Sequence, residues 1–185
     1  MKRFIILSLI LGSLIGLNFL GGCAVYDVAV EERSTGEWVD DKQISFTIEQ
    51  SFLEDSQIKF LDFDAYSYQG HVYLIGEYES REQVNRAVYI AKNVQGVRKV
   101  TTYFLPKRSD DTCGTTDNVE LNAKVRQKLI ADKNIWSTNV DIEMLQCKVI
   151  LLGIVATQQE KEAAENHARS VSGVREVKSY ITVKP

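Results

Sequence analysis

Five side chains hold most of the chemistry this sequence could do: Cys23, Cys113, Cys147, His71 and His167, its only cysteines and histidines. Cys23 stands behind Leu20-Gly21-Gly22, which closes a mostly apolar stretch from Phe4 to Leu20 led by Lys2 and Arg3. A basic start, an apolar middle and small residues at the cut mark a secretory leader. Gly12, Gly16 and Asn18 interrupt the run and argue against a stable membrane span. Residues 1–22 are therefore read as a signal peptide. Cys113 and Cys147 match no zinc spacing. An oxidising compartment permits a disulfide between them, and sequence leaves the pairing open.

His71 follows a Gln69-Gly70 turn, and His167 sits beside Arg169 in a helical stretch. Neither has a carboxylate, cysteine or second histidine spaced to build a catalytic or metal site. There is no nucleophile elbow, phosphate-cradling glycine loop or metal-ligand motif. Carboxylates such as Glu160 and Glu162 scatter over a helix surface, as solvated groups do. The expectation is a non-enzyme with no cofactor and no metal.

Charge narrows the partners. The formal net charge is −3, and loss of Lys2 and Arg3 takes it to −5, which speaks against nucleic acid. Residues 40–106 carry 7 basic and 10 acidic side chains, whereas 117–185 carry 10 basic and 9 acidic. The second stretch is the likelier to meet an anionic surface.

The elements that position these groups are written twice. Val72-Tyr73-Leu74-Ile75-Gly76 and Gly96-Val97-Arg98-Lys99-Val100 return as Val149-Ile150-Leu151-Leu152-Gly153 and Gly173-Val174-Arg175-Glu176-Val177. Both glycine pairs are offset by 77. A fixed offset signals duplication. Each copy opens on a helix, with Ile44, Ile48 and Phe52 in the first (Asp41 to about Glu54) matched by Leu121, Val125 and Leu129 in the second. A strand (Phe63 to Tyr68), a turn and a central strand (Val72 to Tyr78) follow. A helix opened by a Ser80/Gln83 capping box, repeated as Thr157/Glu160, leads to Gly96 or Gly173 at the left-handed helix end. The last strand runs from Val97 to Leu105.

The fold expected is α+β: two tandem αββαβ domains, each a three-stranded mixed sheet covered on one face by two helices. The boundaries are 1–22 leader, 23–39 lipidated tether, 40–106 first domain, 107–116 linker and 117–185 second domain. Trp38 is expected to dock on the first domain, and the two copies to pack against each other.

The second copy's first helix carries another apolar side. At ~100° per residue, Val119, Arg126 and Ile130 cluster away from the core stripe, near Ala123 and Lys133. Trp136 lies just beyond. The first-copy equivalents are Lys42, Glu49 and Leu53. An apolar side flanked by cations suits a lipid headgroup boundary. Burial of Val119 and Ile130 against the first domain or the linker is the alternative.

The glycine–helix–glycine pattern, with Val72, Leu74, Val100, Val149, Leu151 and Val177, resembles the BON domain of bacterial envelope proteins. Lys124-Val125-Arg126-Gln127-Lys128-Leu129 is similar to that domain's opening helix. Leu20-Gly21-Gly22-Cys23 resembles a bacterial lipobox, which implies that Cys23 becomes the acylated N-terminus, palmitate included, and Ala24 after it, in place of an aspartate, implies the outer membrane, facing the periplasm. The resemblance implies a non-catalytic role: binding phospholipid, anionic in particular, and supporting envelope integrity, with recruitment to division sites. Glu120 departs from the pattern, standing where a family member has an aromatic lipid contact. The expected partners are membrane phospholipid, through acylated Cys23 and the second copy's first helix, and an envelope protein. A protein-interaction or chaperone-like adaptor is the alternative function.

Overall fold

The computed structural model describes residues 31–59 and 62–185. The expected signal peptide, Cys23 and the tether through residue 30 lie outside them. Helix α1 (Thr35–Glu54) starts earlier than apolar periodicity predicts, within the stretch read as tether. Capping sets its start: Ser34 Oγ accepts from Glu37 N at 3.3 Å, and the Glu37 carboxylate accepts from Ser34 N at 3.0 Å. Ile44, Ile48 and Phe52 form its buried stripe. Trp38 is half-buried, with the Lys42 ammonium 5.8 Å from its ring centre.

Strands β1 (Phe63–Tyr68) and β2 (His71–Tyr78) form an antiparallel hairpin. Buried Asp41, from α1, holds its turn by accepting from Gln69 N at 2.6 Å, Gly70 N at 2.9 Å and Ser67 Oγ at 2.7 Å. Arg33, also buried, donates to Asp41 at 2.9 Å and to the Ser67 carbonyl at 3.1 Å. Burial pushes the Asp41 carboxyl up, but the bonds from Gly70, Ser67, Gln69 and Arg33 outweigh it and hold it below its ordinary value.

Helix α2 (Arg81–Asn93) opens on the expected Ser80/Gln83 box. Strand β3 (Lys99–Pro106) then pairs parallel to β2, completing the order β1-β2-β3. Ala87 and Ala91 are fully buried beneath α2, so the helix lies close on the sheet.

The second copy repeats the plan: α3 (Thr115–Ala131), a short 3₁₀ turn (Ser137–Asn139), β4 (Val140–Leu145), β5 (Lys148–Val155), α4 (Gln158–Arg169) and β6 (Glu176–Val183). The pairing Phe63 with Gly76 returns as Val140 with Gly153, the same offset of 77. The first copy's central strand ends at Tyr78, as expected, and the second copy's at Val155, so both run two residues past their glycines. They are needed for a close crossing: a Cβ there would lie 2.0 Å from the Asp62 carbonyl oxygen in one copy and from that of Asn139 in the other. Gly96 and Gly173 take φ of 92° and 99° in the turns after α2 and α4. Helix α4 ends at Arg169, and β3 starts at Lys99 rather than Val97, because Val97 is still in the turn, its N–H on Val94 O at 3.2 Å.

The linker is pinned. Cys113 and Cys147 are disulfide-bonded, with Cα atoms 5.8 Å apart. Arg175 donates to Asp111 at 2.7 Å and to Thr112 at 2.8 Å. Asn118, the counterpart of Asp41, accepts from Cys147 N at 2.9 Å, so an amide and a disulfide serve the turn that a carboxylate holds in the first copy.

Each copy has its own core between its helices and one sheet face. The opposite faces meet each other. Tyr68, Tyr73 and Ile75 from the first sheet and Leu145, Ile150, Leu152 and Ile154 from the second form a third apolar layer, flanked by Tyr66, Tyr103, Leu105 and Tyr180. The layers run helix, sheet, sheet, helix. Polar ties edge the joint: Tyr66 Oη donates to Glu143 at 2.7 Å, Tyr68 Oη to Asp141, and Gln146 Nε2 to Glu77 at 2.6 Å and to the Pro106 carbonyl at 2.9 Å.

Candidate lipid-contact face

With the sheets back to back, the outer side of α3 is left uncovered. Leu121, Val125 and Leu129 face the core. Val119 and Ile130 are each 66% exposed on the other side, so neither the first domain nor the linker buries them. Ala123 and Arg126 lie exposed between them, Lys133 is exposed just past the helix, and Trp136 is 48% exposed beyond that.

The loop carrying Trp136 is fixed from beneath. Asp132 accepts from Asn134 N at 2.9 Å and is 2.8 Å from His167 Nε2 on α4. The bond from His167, then that from Asn134 N, keeps the Asp132 carboxyl below its ordinary value. Trp136 N donates to Glu160 Oε1 at 2.8 Å, and Ala156 N to Glu160 Oε2 at 3.1 Å. Glu160 thus serves as a buried clamp as well as a helix cap, since Thr157 Oγ1 accepts from Glu160 N at 3.1 Å. The surface expected for this carboxylate is wrong: the 3₁₀ turn brings an orphan N–H to it.

The pair His167–Asp132 also escapes the sequence, because its members lie 35 residues apart. In the first copy the equivalent Asp55 is held by Arg86 at 2.7 Å, so the aspartate after each opening helix ties it to the helix behind. His71 stacks on Tyr73 at 4.2 Å and bonds Thr101 Oγ1 at 2.8 Å. Both histidines are engaged in fold contacts. Among the described residues, no group of three or more His, Cys, Asp and Glu side chains could hold a metal ion.

Charge on the α3 face is available. Lys124 is paired with Glu120 at 2.6 Å, whereas Arg126 and Lys133 have no ion pair among the described residues. The first copy differs at the same positions. Glu49 accepts from Ala65 N at 3.4 Å, and burial raises its carboxyl. On α1 the sequence reading missed a row of Val39, Phe46 and Leu53, all exposed. Their seven-residue spacing, opposite Ile44 and Ile48, was the signal available.

Twin three-stranded mixed sheets, each covered by two helices, define a tandem α+β protein with one outer helix left open. The BON domain family model matches residues 40–104 and 117–185, and the chain belongs to the BON-domain family. The chain is 32% identical over 158 residues to outer membrane lipoprotein DolP of Haemophilus influenzae, covering 85% of this chain and 81% of that one. It is 29% identical over 154 residues to osmotically-inducible protein Y of Escherichia coli, covering 82% and 77%. Among solved structures, CdsD, a structural protein of the type III secretion system of Chlamydia trachomatis, aligns at 13% identity with a TM-score of 0.33, covering 78% of this chain and 64% of that one. The chain is an outer-membrane lipoprotein of the cell envelope, facing the periplasm.

Proposed function

We propose that the protein is a non-catalytic module that binds anionic phospholipid through the outer side of α3, held at the membrane by acylated Cys23. Its role is envelope integrity, including at division sites, as the family resemblance implies. The observation that carries this reading is the pair Val119 and Ile130, each 66% exposed, beside an Arg126 with no ion pair among the described residues. Apolar side chains entering the headgroup boundary gain burial, and each basic residue near an anionic surface contributes ~1 kcal/mol. An anchored chain needs little more, since tethering raises the local concentration of headgroups.

The test is co-sedimentation with phosphatidylglycerol vesicles, using the chain with Cys23→Ser so that the anchor does not dominate. Arg126→Glu removes one attraction and adds one repulsion, about 2 kcal/mol or roughly 30-fold in affinity. Ile130→Glu should weaken binding at least as much. Binding that ignores both the lipid charge and these changes would refute the reading and favour an adaptor that docks a protein.

A further inference from the structure

The two copies meet at a corner where β1 and β4 bring together carboxyl groups that neither copy places on its own. Asp64 and Asp141 are equivalent under the offset of 77, as are Tyr66 and Glu143. Asp141 and Glu143 each receive a tyrosine hydroxyl from the other copy, from Tyr68 and Tyr66. Glu143 also accepts from Met144 N at 3.0 Å. The Asp64 carboxyl has no hydrogen bond among the described residues, and half-buried Glu49 of α1, which accepts from Ala65 N at 3.4 Å, is a further carboxylate acting on it. No cation forms an ion pair with Asp64, Asp141 or Glu143 among the described residues. Arg33 is paired with Asp41, 5.0 Å from the Tyr68 ring centre, and Lys42, 5.8 Å from the Trp38 ring centre, acts on the Glu49 carboxyl. From β2 and β5 the neighbours are apolar, with Ile75 opposite Asp64 and Leu152 opposite Asp141.

We propose that this corner is a proton-controlled joint: with Asp64 protonated the two sheets stay closed on each other, and with Asp64 ionised its repulsion from Glu143 loosens them. Burial, then the charges of Glu143 and Glu49, push the Asp64 carboxyl up to about 7. A folded value above the unfolded one means that the closed form binds the proton more tightly. Closure is therefore favoured in mild acid and weakens as pH rises from about 4 through about 7. Because β1 carries α1 and β4 carries α3, the joint sets how the two outer helices stand to each other, a regulation independent of whether α3 contacts lipid.

The test is pulsed electron resonance on the full anchored chain, with spin labels at Gln50→Cys on α1 and Gln127→Cys on α3. The wild-type distance distribution should be narrow at pH 5.5 and widen at pH 8.5, with a one-proton midpoint near 7. Asp64→Asn should stay narrow at both. Glu143→Gln keeps an acceptor for Tyr66 and removes the repelling charge, so it too should abolish the widening. A wild-type distribution that does not change with pH, or the same widening in either variant, overturns the proposal.

Discussion

Leu152→Ala tests the back-to-back joint, because Leu152 is fully buried in the layer between the sheets and belongs to neither copy's own core. Truncation removes three carbons and leaves a cavity against Tyr73, Ile75 and Ile150, a change that costs about 3 kcal/mol. Urea denaturation reads it well, since the two tryptophans fall one per copy, Trp38 on α1 and Trp136 after α3. Trp→Phe at either one isolates the other's signal. For a slope of about 2 kcal/mol/M the midpoint should fall by roughly 1.5 M. The informative part is where it falls. Leu152 is in the second copy, yet the Trp38 transition should move down as well, because the first copy loses the layer that covers its sheet. A loss below about 0.5 kcal/mol, or a shift confined to Trp136, would refute the packing argument.

Three further outcomes follow from particular contacts. Gly153→Ala puts a Cβ 2.0 Å from the Asn139 carbonyl and should cost at least about 3 kcal/mol in thermal or urea unfolding, while Gly36→Ala, with nothing within 4 Å, should stabilise by roughly 0.5 kcal/mol. Cys113→Ser with Cys147→Ser opens a link across 34 residues and should lower stability by about 3 kcal/mol, matched by adding reductant to the wild type. Asp41→Asn should cost about 3 kcal/mol at pH 7. Asp41 is held below its ordinary value, so its contribution is present above pH about 4 and lost as pH falls below that. The gap between variant and wild type should therefore narrow as pH falls below about 4, and a gap that does not narrow in acid would contradict the role assigned to the carboxylate.

Much of the architecture was legible in the residues. The offset of 77 located both copies, the Ser80/Gln83 box and the Thr157 cap at the second helices, and the glycines at the crossings. The Thr157/Glu160 pair is only half a box, because the Glu160 carboxylate accepts from Trp136 N and Ala156 N instead. Val72 to Ile75 and Val149 to Val155 are apolar on both faces of their strands, which is the signature of a sheet covered twice. Helices account for one face alone, so the second cover was readable as well, and the expectation that the copies pack together stopped short of naming the sheets. The start of α1 was missed because its first turn buries nothing; only the Ser34-Thr35-Gly36-Glu37 spacing announces it. Arg33 with Asp41, His167 with Asp132 and Glu160 with Trp136 N join residues far apart in the chain or through a backbone N–H, and side-chain pattern alone does not reveal such pairs. On α3 the exposed group of Val119, Arg126 and Ile130 follows from helical geometry. What sequence left open was whether anything covers it, and that depended on the packing of the twin.

The measurement closest to the central claim is nuclear paramagnetic relaxation on the anchored protein in nanodiscs holding phosphatidylglycerol and a gadolinium-bearing headgroup. Enhancement should be largest at the amides of Val119, Ala123, Arg126 and Ile130, and should drop when the anionic lipid is replaced by a zwitterionic one. Enhancement centred on α1 around Phe46, or spread evenly over both copies, would contradict the assignment of the membrane contact to α3.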